Sequence, residues 1–238
     1  MDLKFIQDLE YFFKTELKLK QATVYRSIQR VKKIIQFSIS ENYLKKDPFH
    51  LYKNKKHKST IVYLTEVELK SLMQYKFSQN RLEQIRDMFV FSCYSGLRFS
   101  DCERVEIQWK NGDRIEFTQF KSSDNAIVKV PIWKLFNGKA GAIFDKYSEG
   151  KERRIFNKVG YSTAAAVIKE LTALTTIIKH ITFHSSRHSF AVECLNRGIT
   201  IGTLSKLLGH ASIITTINNY AEITNKKIDD EIDRVDWG

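Results

Sequence analysis

Apolar residues recur at three- and four-residue steps over most of the chain and at alternate positions over one stretch only. In "FIQDLEYFFKTEL", Phe5, Leu9, Phe12 and Phe13 share a helical stripe. In "ATVYRSIQRVKKIIQFSISENYL", Val24, Ile28, Val31, Ile35 and Ile39 do the same, with Arg26, Arg30, Lys32 and Lys33 on the other faces. These two segments predict a helical pair with a basic surface. "KKDPFHLYKNKKHKS" then breaks the period with six lysines and one of the two prolines. It reads as a flexible basic linker able to lie along a phosphate backbone.

A second apolar period starts at "YLTEVELKSL", where Thr65 and Glu68 have capping-box spacing. "RLEQIRDMFVFSCYSG" is apolar nearly all round, which predicts a central buried helix ended by Gly96. The alternating stretch is "RVEIQWKNGDRIEFTQFKSSDNAIVKVPI". Asn111-Gly112 is a hairpin turn signal, and Ser122 to Asn125 make a second turn. Three antiparallel strands follow, with Lys121 at the second turn. Beyond Pro131 the pattern is helical to the end, with short loops near Gly138–Gly150 and Gly198. The fold class is therefore mainly α with a small three-stranded antiparallel sheet. The expected organisation is a helical domain over 1–48, a basic linker over 49–60, a larger domain over 61–223 and a tail over 224–238.

Charge sharpens this picture. The net charge is +12, and residues 1–60 alone hold 14 Lys and Arg against 6 Asp and Glu. A basic N-terminal quarter points to a polyanion, most simply nucleic acid, with Arg26, Arg30, Lys33, Lys53, Lys55 and Lys56 as candidate phosphate contacts. No apolar run approaches the length of a membrane span, and the acid-bearing N-terminus is unlike a signal peptide. A cytoplasmic protein is expected. Cys93, Cys102 and Cys194 form no metal or disulfide pattern and read as buried thiols.

Four stretches carry candidate chemistry. "SGLRFSDCE" puts Arg98 in a turn before a helix that Ser100 and Glu103 would cap, a natural phosphate seat. "TFHSSRHSFAVECLNRG" puts His184 and Arg187 on one helix face. His180, His184 and His188 are four apart, but no Cys or carboxylate accompanies them, so a zinc site is the weaker reading and His188 reads as a satisfied core histidine. "LSKLLGHASIITTINNYAEI" places His210 after a glycine turn and Tyr220 on the following helix, which Thr215 or Thr216 would help to start. Taken singly, each is an ordinary surface or core residue. Together they are the parts of a phosphoryl-transfer site without metal. Arg98 and Arg187 supply forked donors to phosphate oxygens, and Tyr220, one of ten tyrosines, supplies the nucleophile.

With these residues in this order, the chain resembles the tyrosine recombinase, or phage integrase, family. "SGLRFSD", "QFKSSDNAIVKVP", "HSSRHSFA", "LLGH" and "TTINNYAEI" carry the resemblance over residues 63–223, and "NYLKKDPF" is similar to the end of the core-binding domain in integrases of Bacteroides-type elements. The resemblance implies attack by Tyr220 on a phosphodiester, giving a 3′-phosphotyrosyl link and a free 5′-hydroxyl. It implies that Arg98, Arg187 and His210 stabilise the phosphorane and that Lys121 protonates the leaving oxygen. His184 would assist proton transfer with Tyr220. No cofactor, metal or ATP is implied. Double-stranded DNA is the implied partner of a protein monomeric in solution and tetrameric on DNA, with an accessory DNA-bending protein and nucleoid association possible. Two alternatives stand beside this: a type IB topoisomerase-like enzyme, and a catalytically silent DNA-binding remnant of a mobile element. The His210–Tyr220 spacing is ten, where many members have nine. Against the resemblance, the N-terminal part reads as short, and the expectation is that it lacks a separate arm-binding domain and part of the usual helical bundle. In the tail, Ile223, Ile228, Ile232 and Val235 form a stripe that would fold back or dock on a neighbour.

Overall fold

The structure, a computed structural model, describes residues 2–54, 60–120, 126–175, 177–225 and 232. It divides into two compact units, Met1–Thr60 and Ile61–Gly238.

The first unit pairs α1 (Leu3–Thr15) with α2 (Gln21–Ser40). Asp2 caps α1 by accepting the Phe5 amide at 2.9 Å. Ile6, Val24, Ile28, Ile35 and Phe49 form the core. Of the stripe expected on α1, Leu9 and Phe13 pack on this core, whereas Phe5 and Phe12 are 44% and 45% exposed and Ile6 is buried instead. The α2 stripe stands as read. Residues 49–54 were expected to be linker, yet they pack on this unit. Phe49 is buried, the Tyr52 hydroxyl donates to Glu10 at 2.5 Å, and the Asn54 amide donates to the Tyr25 carbonyl at 3.2 Å. The reason is that Phe49 and Tyr52 supply aromatic area that a two-helix unit lacks. Of the linker lysines, Lys53 is exposed, and Lys55 and Lys56 lie outside the described residues.

The second unit is built around α4 (Asn80–Ser95), which packs on α3 (Glu66–Gln74), α6 (Lys139–Ser148), α7 (Tyr161–Leu174) and α8 (Phe183–Asn196). The capping box of Thr65 and Glu68 forms as expected. α4 is buried all round, and its acid Asp87 is matched by Arg86, Lys146 and the Tyr147 hydroxyl. Gly96 ends it in the left-handed region, at φ 73°, with the Phe190 ring of α8 against its Cα. Only glycine fits both the backbone and that close approach. The helix α6 occupies the Gly138–Gly150 region where sequence suggested loops, since its small face of Ala140 and Gly141 buries against the core.

The sheet has the order β1-β2-β3, from β1 (Lys110–Asn111), β2 (Arg114–Thr118) and β3 (Ile127–Val130). Ile115 and Phe117 face the core opposite Val130 and Val128. Glu116 and Lys129 pair on the outer face. The first strand is only two residues long. Ile107–Trp109 form a 3₁₀ turn instead, with Trp109 stacked on Phe117 at 4.7 Å. The second hairpin turn, with Lys121, lies outside the described residues. Among the described residues no helix is long and apolar enough to cross a membrane.

Candidate active site

The site is assembled where four helix ends meet. α5 (Phe99–Cys102) begins directly after Gly96 and Leu97, and Arg98 is its N-cap. The capping box expected of Ser100 and Glu103 is absent because the helix starts earlier and lasts four residues. Asp101 in that turn is fully buried. Its Oδ1 accepts from Arg104 at 3.2 Å and from the Phe120 amide at 3.0 Å. It thereby holds the residue just before Lys121, and nothing in its sequence position singled it out.

Helix α8 supplies the central residue. Ser186 joins Ser92 of α4 by a hydroxyl–hydroxyl hydrogen bond of 2.5 Å, and Ser92 donates to the Leu97 carbonyl at 2.7 Å. This seats Arg187 beside the end of α4. Its guanidinium is buried and donates from Nη1 to the Gly96 carbonyl at 2.7 Å and from Nη2 to the Leu208 carbonyl at 2.5 Å. Burial, and then the nearby Arg98, push its pKa down to about 9. It therefore remains a cation at neutral pH. Arg98 is half-buried and is likewise lowered by desolvation.

The segment after α9 (Ile201–Leu207) brings His210. Gly209 stands at φ 59°, and a Cβ there would strike Val128 and the side chain of Gln119, whose amide donates to the Leu208 carbonyl at 2.9 Å. His210 Nδ1 lies 2.7 Å from Thr216 Oγ1. Thr216 is inside α10 (Ile213–Asn225) rather than at its start, where Ser212 accepts from the Ile214 amide. Gly209→Ala is expected to cost about 1–2 kcal/mol in left-handed strain and about 1–3 kcal/mol in overpacking. Because Leu208 and His210 flank it, DNA cleavage should fall with the thermal midpoint. An unchanged midpoint and cleavage rate would remove this role.

Tyr220, on α10, is 2% exposed. Its hydroxyl lies 2.9 Å from Nδ1 of His188, with the rings 5.8 Å apart and tilted edge to face. Burial raises its pKa, and Arg187 is the cation that opposes this. His188, which reads from sequence as a core histidine, is thus a partner of the hydroxyl. His184, expected to serve Tyr220, is exposed, with its ring 4.7 Å from that of His188. His184 feels Arg187 and Arg98, and His210 feels Arg187, Arg98 and His184. Arg98, His184, Arg187, His210 and Tyr220 are therefore one electrostatic cluster. Among the described residues no group of three or more His, Cys, Asp or Glu is placed to hold a metal ion.

Desolvation pushes His188 and His210 from 6.5 to about 4, helped at His188 by His184 and Arg187 and at His210 by Arg187, Arg98 and His184. Between those values the unfolded chain binds protons that the folded chain refuses, so ν_U exceeds ν_N and stability rises with pH. This stability is present in full above pH 6.5 and is lost as pH falls towards 4. The DNA-free thermal midpoint should drop across that window, and His210→Asn should flatten the drop. An equal slope in the variant would locate the acid sensitivity elsewhere.

The sequence profile of the Phage integrase family matches residues 4–227. The chain belongs to that family. Among its relatives is "Tyrosine recombinase XerC" of Listeria monocytogenes serotype 4a (strain HCC23), 23% identical over 237 residues, covering 90% of this chain and 76% of the relative. The XerC of Lacticaseibacillus casei (strain BL23) is 23% identical over 252 residues, covering 97% and 83%. The fold is that of the Tn1549 transposon integrase in complex with circular intermediate DNA, at TM-score 0.76 and 17% identity, covering 98% of this chain and 85% of that one. It is also that of a lambda integrase dimer bound to a COC′ core site, at TM-score 0.73 and 17% identity, covering 92% and 79%. Family membership makes the chain a site-specific tyrosine recombinase and a DNA-binding protein, and it favours neither the topoisomerase nor the silent-remnant reading.

Proposed function

We propose that the chain cuts and rejoins double-stranded DNA through a 3′-phosphotyrosyl intermediate on Tyr220. The observation that carries this is the buried guanidinium of Arg187, which couples on one side to Arg98 and on the other to the Tyr220 hydroxyl. Each arginine depresses its neighbours' affinity for protons, and a bound phosphodiester anion offsets that repulsion. Arg98 and Arg187 would hold the non-bridging oxygens, and His210, braced by Thr216, would add a further donor. Lys121 would protonate the leaving 5′ oxygen. His184 would line the same phosphate seat. The charge stabilisation comes from these cations, so the chemistry calls for neither metal nor ATP. The ester retains the bond energy, and the 5′-hydroxyl of a second strand reverses the step.

The first unit would serve as the core-binding domain and the second as the catalytic domain. Arg26, Arg30 and Lys33 lie exposed along α2 at steps of four and three, away from buried Val24, Ile28 and Ile35, and with Lys53 they suit a phosphate backbone. On DNA the protein would act as a tetramer of otherwise monomeric chains in the cytoplasm at the nucleoid, with a DNA-bending protein as a further partner. The tail stripe expected at Ile228 and Val235 lies outside the described residues, so docking on a neighbour remains part of this proposal.

A nicked suicide duplex of the sequence flanking the coding gene tests the reading. The expected result is a covalent protein–DNA band whose proteolysis yields a nucleotide-bearing peptide modified at Tyr220. A modified peptide from another region would overturn the assignment.

A further inference from the structure

We propose that His188 is a catalytic residue of this site, the group that aims the Tyr220 oxygen and takes up its proton during attack. The inference rests on the reading of Tyr220 as nucleophile and adds a residue to it.

Three observations place His188 there. It lies one residue beyond Arg187 and one turn beyond His184 on α8, and Nδ1 lies 2.9 Å from the Tyr220 hydroxyl. That distance is within the reach a general base needs of the proton it abstracts. The tyrosine ring is buried, which limits competition from water for the hydroxyl. The His188 ring packs edge to face against both the His184 ring, at 4.7 Å, and the Tyr220 ring, at 5.8 Å, so packing restrains its plane. Burial, then His184 and Arg187, keep it neutral at neutral pH. In the tautomer with its proton on Nε2, Nδ1 accepts the hydrogen bond from the hydroxyl.

The step balances. The Tyr220 O–H bond breaks and its proton passes to Nδ1, leaving an imidazolium. The freed oxygen forms the bond to phosphorus. The bond from phosphorus to the 5′ oxygen breaks, and that oxygen takes a proton from Lys121 on the reading above. Rejoining returns the His188 proton to the departing tyrosine oxygen. The phosphate itself prepares the acceptor. Its negative charge, seated at Arg98 and Arg187, offsets the Arg187 charge that helps to hold His188 down and raises its basicity as substrate arrives. His184 stays on the open side of the cluster, by the phosphate seat rather than behind the nucleophile.

The decisive variant is His188→Asn. Its amide oxygen can accept a hydrogen bond from the hydroxyl but cannot hold a proton. With the parent's thermal midpoint and non-covalent DNA affinity, it should form the phosphotyrosyl product about 10²–10⁴-fold more slowly. A duplex with a 5′-bridging phosphorothiolate has a leaving group that needs no proton. It should leave His188→Asn slow while restoring Lys121→Ala. Cleavage by His188→Asn within about threefold of the parent would overturn the inference, as would its rescue by the phosphorothiolate, which would move His188 to the leaving-group side. Where His188→Asn does not fold, His188→Gln takes the same two assays and the same two outcomes decide. Tyr220→Phe separates the levels. If it still gives a covalent product, the reading of Tyr220 fails first; if it gives none while His188→Asn cleaves normally, only the role of His188 fails.

Discussion

Tyr220→Phe is expected to bind DNA as the parent does and to form no covalent product. The expectation follows from what the substitution leaves in place. The ring is among the largest fully buried side chains of the described residues and packs where α10 meets α8, and phenylalanine keeps nearly all of that surface. The loss is one hydroxyl. Its hydrogen bond with His188 contributes about 1 kcal/mol net, and the histidine nitrogen left without it costs about 1–3 kcal/mol. Such a change moves the thermal midpoint by a few degrees and leaves the fold standing. The chemistry has no such margin, because without the oxygen no ester forms. Gel analysis of a suicide duplex and a DNA-binding isotherm on the same preparation measure the two effects separately. A surviving covalent band would shift the nucleophile to another residue. Loss of DNA binding together with the band would mean that the ring, and not the hydroxyl, carries the effect.

The chain shows where its chemistry sits more readily than how that chemistry is wired. α4 was readable because apolar residues on every face leave burial as the only option, and a glycine at its end leaves only one backbone conformation. Arg98, His184, Arg187, His210 and Tyr220 were readable as a set, and the structure brings them together. The wiring was not readable, because the partners are distant in sequence. The His188–Tyr220 contact spans 32 positions and Ser92–Ser186 spans 94. The choice between His184 and His188 depends on about one helical turn of placement, which periodicity in α8 cannot supply, since nearly the whole helix is buried. The same limit explains α1, where adjacent apolar residues Phe5 and Ile6 offer two stripes and only packing selects Ile6. Asp101 is not legible for a related reason. A buried carboxylate looks like any surface acid until the Phe120 amide is seen to approach it.

Arg187→Lys is expected to lower cleavage by about 10²–10³-fold while keeping the positive charge. The effect comes from geometry. The guanidinium uses two of its nitrogens on the carbonyls of Gly96 and Leu208, one at the end of α4 and one at the end of α9, and so fixes the plane from which its remaining N–H groups address a ligand. An ammonium offers three donors around one point and no fork. It can satisfy one of the two carbonyls or face the phosphate, but it cannot hold the planar arrangement that does both. Losing one aligned donor to a developing phosphorane charge is worth about 3–4 kcal/mol, which sets the expected rate loss. Stability responds less, because one of the two carbonyls has a second donor. A buried carbonyl left unpaired costs about 1–3 kcal/mol, but the Leu208 carbonyl keeps the Gln119 amide. Single-turnover cleavage measured at saturating protein isolates the chemical step from binding. Arg187→Lys cleaving within a few-fold of the parent would show that charge alone suffices at this position. Arg187→Ala should then be worse than lysine in rate and in DNA affinity, since it removes the charge together with the fork.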